Sequence, residues 1–131
     1  MEKHGKSFSV RSKVWVVDEA GDVVFGLGRL KILEAVDRTG SILAAAKSLK
    51  MSYRAVWQRI RKTEERLGRP LLVKRIGGAA GGGSELTPFA RDLVDGFRKL
   101  HRDVAEDADA HFDRDYHAVL KNPESRLPER H

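Results

Sequence analysis

The stretch from Ser41 to Thr87 restricts the fold of this chain more than any other feature. It reads SILAAAKSLKMSYRAVWQRIRKTEERLGRPLLVKRIGGAAGGGSELT. Two short helical patterns meet at a tight Lys50-Met51-Ser52 junction, and the second continues into two strand-like runs joined by a loop that is almost pure glycine. Helix, tight turn, longer helix and β-hairpin wing is an order that sets the second helix where it can enter a DNA major groove. Charge follows the same segment. Residues 47–75 hold ten Lys/Arg against Glu64 and Glu65, a local excess of +8 beside +6 for all 131 residues.

Local chemistry marks the ends of both helices. Leu30, Leu33 and Val36 recur at helical spacing and Thr39-Gly40 ends that pattern. Ser41 follows as an N-cap, its hydroxyl able to satisfy an amide of the next first turn. Ala44, Ala45 and Ala46 keep that helix thin, so the following one can cross it closely. Ser52 repeats the cap, and a helix is expected from Tyr53 to about Leu67 with Gly68 as its stop. On it Val56, Ile60, Thr63 and Leu67 fall within an arc of roughly 60° and form the expected buried face. Arg54, Gln58, Arg61 and Glu65 lie opposite, with Trp57 on the flank, where packing and base contact are both open readings.

Wing strands are expected at Leu71–Ile76 and Ser84–Thr87, around five glycines plus Ala79 and Ala80 at 77–83. This loop lacks the Lys-Ser/Thr pair of a nucleotide-binding loop, so a tip that skirts the minor groove, or a free solvent loop, fits better. Pro88 suits a first helical turn. Phe89, Leu93, Phe97, Leu100, Val104 and Ala108 then make a narrow apolar seam of the kind that pairs with a partner helix. Upstream, the apolar runs around Asp18–Asp22 read as an N-terminal β-hairpin that could pack on the core, widen a dimer interface or touch DNA.

Bulk composition narrows the class. No apolar run approaches the ~20 residues of a membrane span, and MEKHGKSFSVRSK has no signal-peptide core. With no cysteine, disulfides, thiolate zinc sites and cysteine catalysis are excluded. His101, His111 and His117 lack metal-ligand spacing and are read as exposed. The reading is a cytosolic protein, not an enzyme, with no cofactor and no metal.

Side-chain chemistry assigns roles. Arg54 and Arg61 are the best readers of guanine or phosphate, and Gln58 can pair with adenine. Ser52, Tyr53 and the helix N-terminus suit phosphate oxygens, Ser41 is kept among the DNA-binding candidates, and Lys74, Arg75 and the glycines Gly77, Gly78, Gly81, Gly82 and Gly83 bring the wing to the backbone. Trp57 is kept among the DNA-binding candidates, and Phe89, Leu93, Phe97, Leu100 and Val104 as the dimer interface.

The segment TGSILAAAKSLKMSYRAVWQRIRKTEERLGRPLL, with the glycine loop and Leu86-Thr87, resembles the N-terminal DNA-binding domain of the molybdate-responsive regulator (ModE) family. More loosely it is similar to the LysR-type winged helix. The likeness covers about residues 26–112 and implies a homodimeric transcriptional regulator that binds double-stranded DNA at a pseudo-palindromic operator. It departs in three places. The chain stops where that family begins its oxyanion-binding domains, so a stand-alone form is expected, and an oxyanion effector has no matching site here. Lys50 stands where the turn often has glycine, and Ala79-Ala80 where the wing tip often has a basic side chain.

The expected architecture is mainly α with small β. Residues 1–26 form an N-terminal arm and hairpin, 27–112 a winged helix-turn-helix with a long C-terminal dimerisation helix, and 113–131 a polar tail whose last ten or so residues are disordered. Rival readings are a sequence-indifferent architectural DNA binder, a winged-helix protein-interaction module, or a small oxyanion sensor that uses the basic face.

Overall fold

The computed structural model describes residues 7–76, 83–122 and 124. Its elements are β1 (Val16–Val17), β2 (Val23–Phe25), α1 (Leu27–Thr39), α2 (Ile42–Leu49), α3 (Tyr53–Leu67), β3 (Leu72–Arg75), β4 (Gly83–Leu86) and α4 (Pro88–His111). A π-helical turn at Phe112–Tyr116 and a short α5 (His117–Lys121) follow. Residues 14–99 make one compact unit, and described residues 7–13 and 100–122 belong to a second. The N-terminal hairpin therefore belongs with the winged helix, where a boundary after residue 26 was expected. Helix also continues through Lys121, beyond the expected start of the tail at 113.

Within the 14–99 unit, α1 is the central element and touches β2, α2, α3 and β4. Its buried face is wider than the single Leu30–Leu33–Val36 row, because Ile32 and Ala35 are buried too. A helix covered on several sides needs apolar residues on more than one stripe. The hairpin turn is closed by Asp18, whose Oδ1 accepts from the amides of Ala20 and Asp22, both at 3.0 Å. β1 and β2 pair antiparallel with an irregular register at Val16/Val17. Of the hairpin residues, Val24 and Phe25 enter the core, while Trp15, Val16, Val17 and Val23 stay exposed. Packing is thus the hairpin's task along β2.

Helix α4 corrects the expected seam. Phe97 is buried within its own unit, its ring meeting Phe25 edge-on at 5.2 Å, so it is not available as a dimer residue. Ala90 and Val94 share that buried row. Phe89 and Leu93 are half-buried beside the core, and Leu100 and Val104 are exposed. Two apolar rows run along this helix and converge at Phe97; heptad-like spacing alone does not say which row meets the core. In the second unit His117 is half-buried and stacks on Phe112 at 5.3 Å between centroids, where exposure was expected.

Three junctions fix the winged helix. Gly40, at φ 82°, ends α1, and its carbonyl accepts from the Ser84 amide at 2.8 Å. A Cβ on Gly83 would sit 2.5 Å from that same carbonyl, so the wing approaches the α1–α2 corner at backbone distance. Glycine at 83 is required by this approach; it lies in β4 opposite Arg75 rather than at the loop tip. Thr87 starts α4: its Oγ1 accepts from the Ala90 amide at 3.1 Å and donates to the Pro70 carbonyl at 2.9 Å. Between α2 and α3, Lys50 takes the left-handed conformation at φ 57°, ψ 43°, where a side chain costs strain that glycine would not.

Two stability outcomes follow from these junctions. Lys50→Gly removes a left-handed side chain and should raise unfolding free energy by about 1 kcal/mol, since the ~1–2 kcal/mol relief is partly offset by glycine's unfolded-state entropy. Gly83→Ala should lower it by roughly 1–3 kcal/mol through overlap with the Gly40 carbonyl. Urea unfolding of both variants checks the two signs.

Candidate nucleic-acid interface

Helix α3 is aimed by its own first turn and its buried face. The Ser52 hydroxyl accepts from the Ala55 amide at 3.0 Å, and Ser41 does the same for α2 with Ala44 at 2.9 Å. Both serines are therefore caps, as expected, and among the described residues neither hydroxyl has an acceptor for its own proton. Val56, Ile60 and Thr63 are buried at 0%, 5% and 1% exposure. Leu67, the last residue of the expected arc, is half-buried. The opposite side is open: Arg54, Gln58 and Arg61 are all exposed, and their i, i+4, i+7 spacing puts them on one face.

Trp57 is not a core residue and leaves 44% of its surface exposed. The Arg61 guanidinium carbon stands 5.7 Å from the Trp57 ring centroid, within cation–π range. Arg61 is also held from its other side, with Nη1 3.2 Å from Oε1 of Glu64. Glu64 does a second job, its Oε2 accepting from the Leu71 amide at 2.8 Å where the chain enters the wing. One carboxylate thus ties the outward face of α3 to the wing. Sequence reasoning treated Glu64 only as a charge; its spacing of three from Arg61 was the available signal.

Ser41, Tyr53, Lys74, Arg75 and Gly83 converge on a second feature. They line an open cleft of about 400 Å³ between α2, the start of α3 and the wing, together with the apolar side chains of Ile42, Leu43 and Ile76. The Arg75 guanidinium lies over the glycines of the α1–α2 corner, its Nη2 2.8 Å from where a Cβ of Gly40 or of Gly83 would be. Absence of side chains at both positions is what admits it. The cleft offers two cations, a phenol and a capped helix N-terminus, a set suited to phosphate oxygens. Leu43 and Ile76, exposed at 54% and 93%, were not singled out beforehand.

Arg54, Gln58 and Arg61 do not line this cleft and occupy the adjoining face of α3. Gly77, Gly78, Gly81 and Gly82 lie outside the described residues, as do Ala79 and Ala80. Among the described residues no group of His, Asp or Glu is arranged to hold a metal ion. No helix among them is long and apolar enough to cross a membrane.

Comparison with known proteins agrees with this geometry. Residues 27–91 match the model of the bacterial regulatory helix-turn-helix protein, LysR family. The chain is 35% identical over 104 residues to the molybdenum-pterin-binding protein MopB of Rhodobacter capsulatus, covering 79% of this chain and 38% of that protein. It is 42% identical over 72 residues to the molybdenum transport protein ModE of Azotobacter vinelandii, covering 55% and 27%. With the transcriptional regulator ModE of Haemophilus influenzae it shares 36% over 74 residues, covering 56% and 29%. The chain thus spans well under half the length of these relatives.

Among solved structures, the LysR-family regulator CbnR superposes with a TM-score of 0.51 at 26% identity, over 66% of this chain and 28% of that one. Full-length CbnR in complex with its target DNA gives 0.50 at 26% identity, again over 66% and 28%. The isolated CbnR DNA-binding domain on DNA gives 0.53 at 24% identity, over 69% and 98%, a likeness of fold. On the joint weight of the helix-turn-helix match, the capped α2–α3 corner and these relatives, the chain belongs to the LysR-type bacterial regulatory helix-turn-helix proteins, with a helix-turn-helix of the ModE type.

Proposed function

We propose that this chain is the DNA-reading part of a sequence-specific transcriptional regulator, acting in the cytoplasm as a homodimer on a pseudo-palindromic operator. One observation carries the reading. The 15-residue α3 buries Val56, Ile60 and Thr63 and leaves Arg54, Gln58 and Arg61 outward on one exposed face. An arginine there can pair with O6 and N7 of guanine, and Gln58 with N6 and N7 of adenine. The cleft at Ser41, Tyr53, Lys74 and Arg75 then receives a backbone phosphate, and so fixes the register in which α3 reads bases.

Dimerisation is assigned to the exposed apolar residues Leu100 and Val104 of α4, which a second copy's helix would cover. In such a dimer the two recognition helices meet successive major grooves about 34 Å apart. The names of the relatives direct the regulated process towards molybdenum handling, which gel shifts of genomic fragments with and without molybdate examine. Enrichment of no sequence over bulk DNA would favour an architectural binder, because a specific regulator prefers its site by about 10³-fold or more.

Two substitutions separate reading from positioning. Arg54→Ala should cost about 1–3 kcal/mol of operator affinity and relax the preference at one base position; an unchanged binding-site logo contradicts its assigned role. Lys74→Ala should weaken all sequences alike and flatten the salt dependence by about one phosphate's worth. Binding isotherms at several salt concentrations check both.

A further inference from the structure

Helix α3 carries a second basic stripe, Arg59, Lys62 and Arg66, set round the helix from the Arg54–Gln58–Arg61 face. Arg29, in the first turn of α1, approaches it: its Nε lies 3.3 Å from Oγ1 of Thr63, which is buried at 1% exposure. Arg66 is anchored on the same side, its Nη1 donating to the Val23 carbonyl at 2.5 Å. Two of these guanidinium groups are thus held by neutral acceptors, and the Thr63 hydroxyl that receives Arg29 itself donates to the Arg59 carbonyl at 2.9 Å.

Counter-charge is what this cluster lacks. Among the described residues no carboxylate lies within ion-pair distance of Arg29, Arg59 or Arg66, whereas Arg61, Arg91, Arg98, Arg102 and Arg114 each have one. The first turn of α1 contains no acid either. Burial first, and then the charges of Arg59 and Arg66, lower the pKa of Arg29 from its ordinary value. Arg29 nevertheless stays protonated at neutral pH, so three cations repel one another in a half-fixed arrangement.

We propose that Arg29, Arg59 and Arg66 form a binding site for a tetrahedral oxyanion of the phosphate type, supplied either by the DNA backbone or as a free ion. Planar guanidinium forks match such oxygens in pairs, and a bound anion removes the mutual repulsion. Arg29 and Arg66 supply fixed donors, and the Arg59 side chain, exposed and without a hydrogen bond among the described residues, closes on the ion. The site lies beyond the base-reading face of α3, and a DNA-free assay reads it whether or not the chain recognises an operator.

The test compares the wild-type chain with Arg59→Gln and with the control Lys31→Gln, an exposed lysine on α1. Among the described residues the Arg59 side chain makes no hydrogen bond or ion pair, and the carbonyl that accepts from Thr63 is kept in Arg59→Gln, so the replacement leaves the fold in place. In one arm, thermal midpoints are measured without DNA in millimolar inorganic phosphate against chloride of equal ionic strength. A free-ion site gives the wild type and Lys31→Gln a saturating rise that shrinks several-fold in Arg59→Gln. In the other arm, the salt dependence of binding to a DNA duplex is measured in chloride. A backbone-phosphate site flattens the slope for Arg59→Gln by about one phosphate's worth and leaves Lys31→Gln unchanged. A difference in either arm supports the site and names its source. Identical behaviour of Arg59→Gln and Lys31→Gln in both arms overturns it.

Discussion

Burial of one side of α3 governs everything else in the winged helix. Val56, Ile60 and Thr63 pack inward, and helix geometry then gives Arg54, Gln58 and Arg61 no direction but outward. Removing apolar surface from water at these positions stabilises the unit and orients the helix in the same act. The basic face is a by-product of the core. No ion pair is needed to expose it, and Arg61 stays exposed even while paired with Glu64.

The second constraint is the closeness of the wing. Backbone meets backbone where Ser84 bonds to Gly40, and Arg75 lies over glycines on both sides of that contact. Glu64 supplies a matching tie at the other end of the wing through the Leu71 amide. The cleft at Tyr53, Lys74 and Arg75 and the outward face of α3 are therefore set by one framework. A shift of α2 or the wing would move Tyr53, Lys74 and Arg75 relative to Arg54 and Gln58. On the proposed function, that coupling makes backbone positioning and base recognition parts of a single geometry.

Much of this was legible in the residues. Gly40, Ser41, Ser52 and Gly68 mark helix ends by local chemistry, and all four ends fall where they were expected. The buried arc of α3 was equally clear, because a 3.6-residue period on a long helix is a strong signal. What stayed hidden depends on contacts between distant residues. Phe97 belongs to two apolar rows, and only its meeting with Phe25 reveals which one the core takes. Gly83 looked like part of a loop until its approach to Gly40 gave it a tertiary reason. Arg29, Arg59 and Arg66 are scattered along the chain, so their neighbourhood has no sequence signature.

The central claim is that the outward face of α3 lies along bases while its inner face never leaves the protein. Photocrosslinking tests this most directly, with a photoreactive side chain placed at Gln58 in one variant and at the buried Val56 in another, each bound to enriched genomic DNA. The account predicts that position 58 crosslinks to bases at a defined place in the bound sequence and that position 56 crosslinks only within the protein. Absence of base crosslinks from position 58 in a complex that still forms would contradict it.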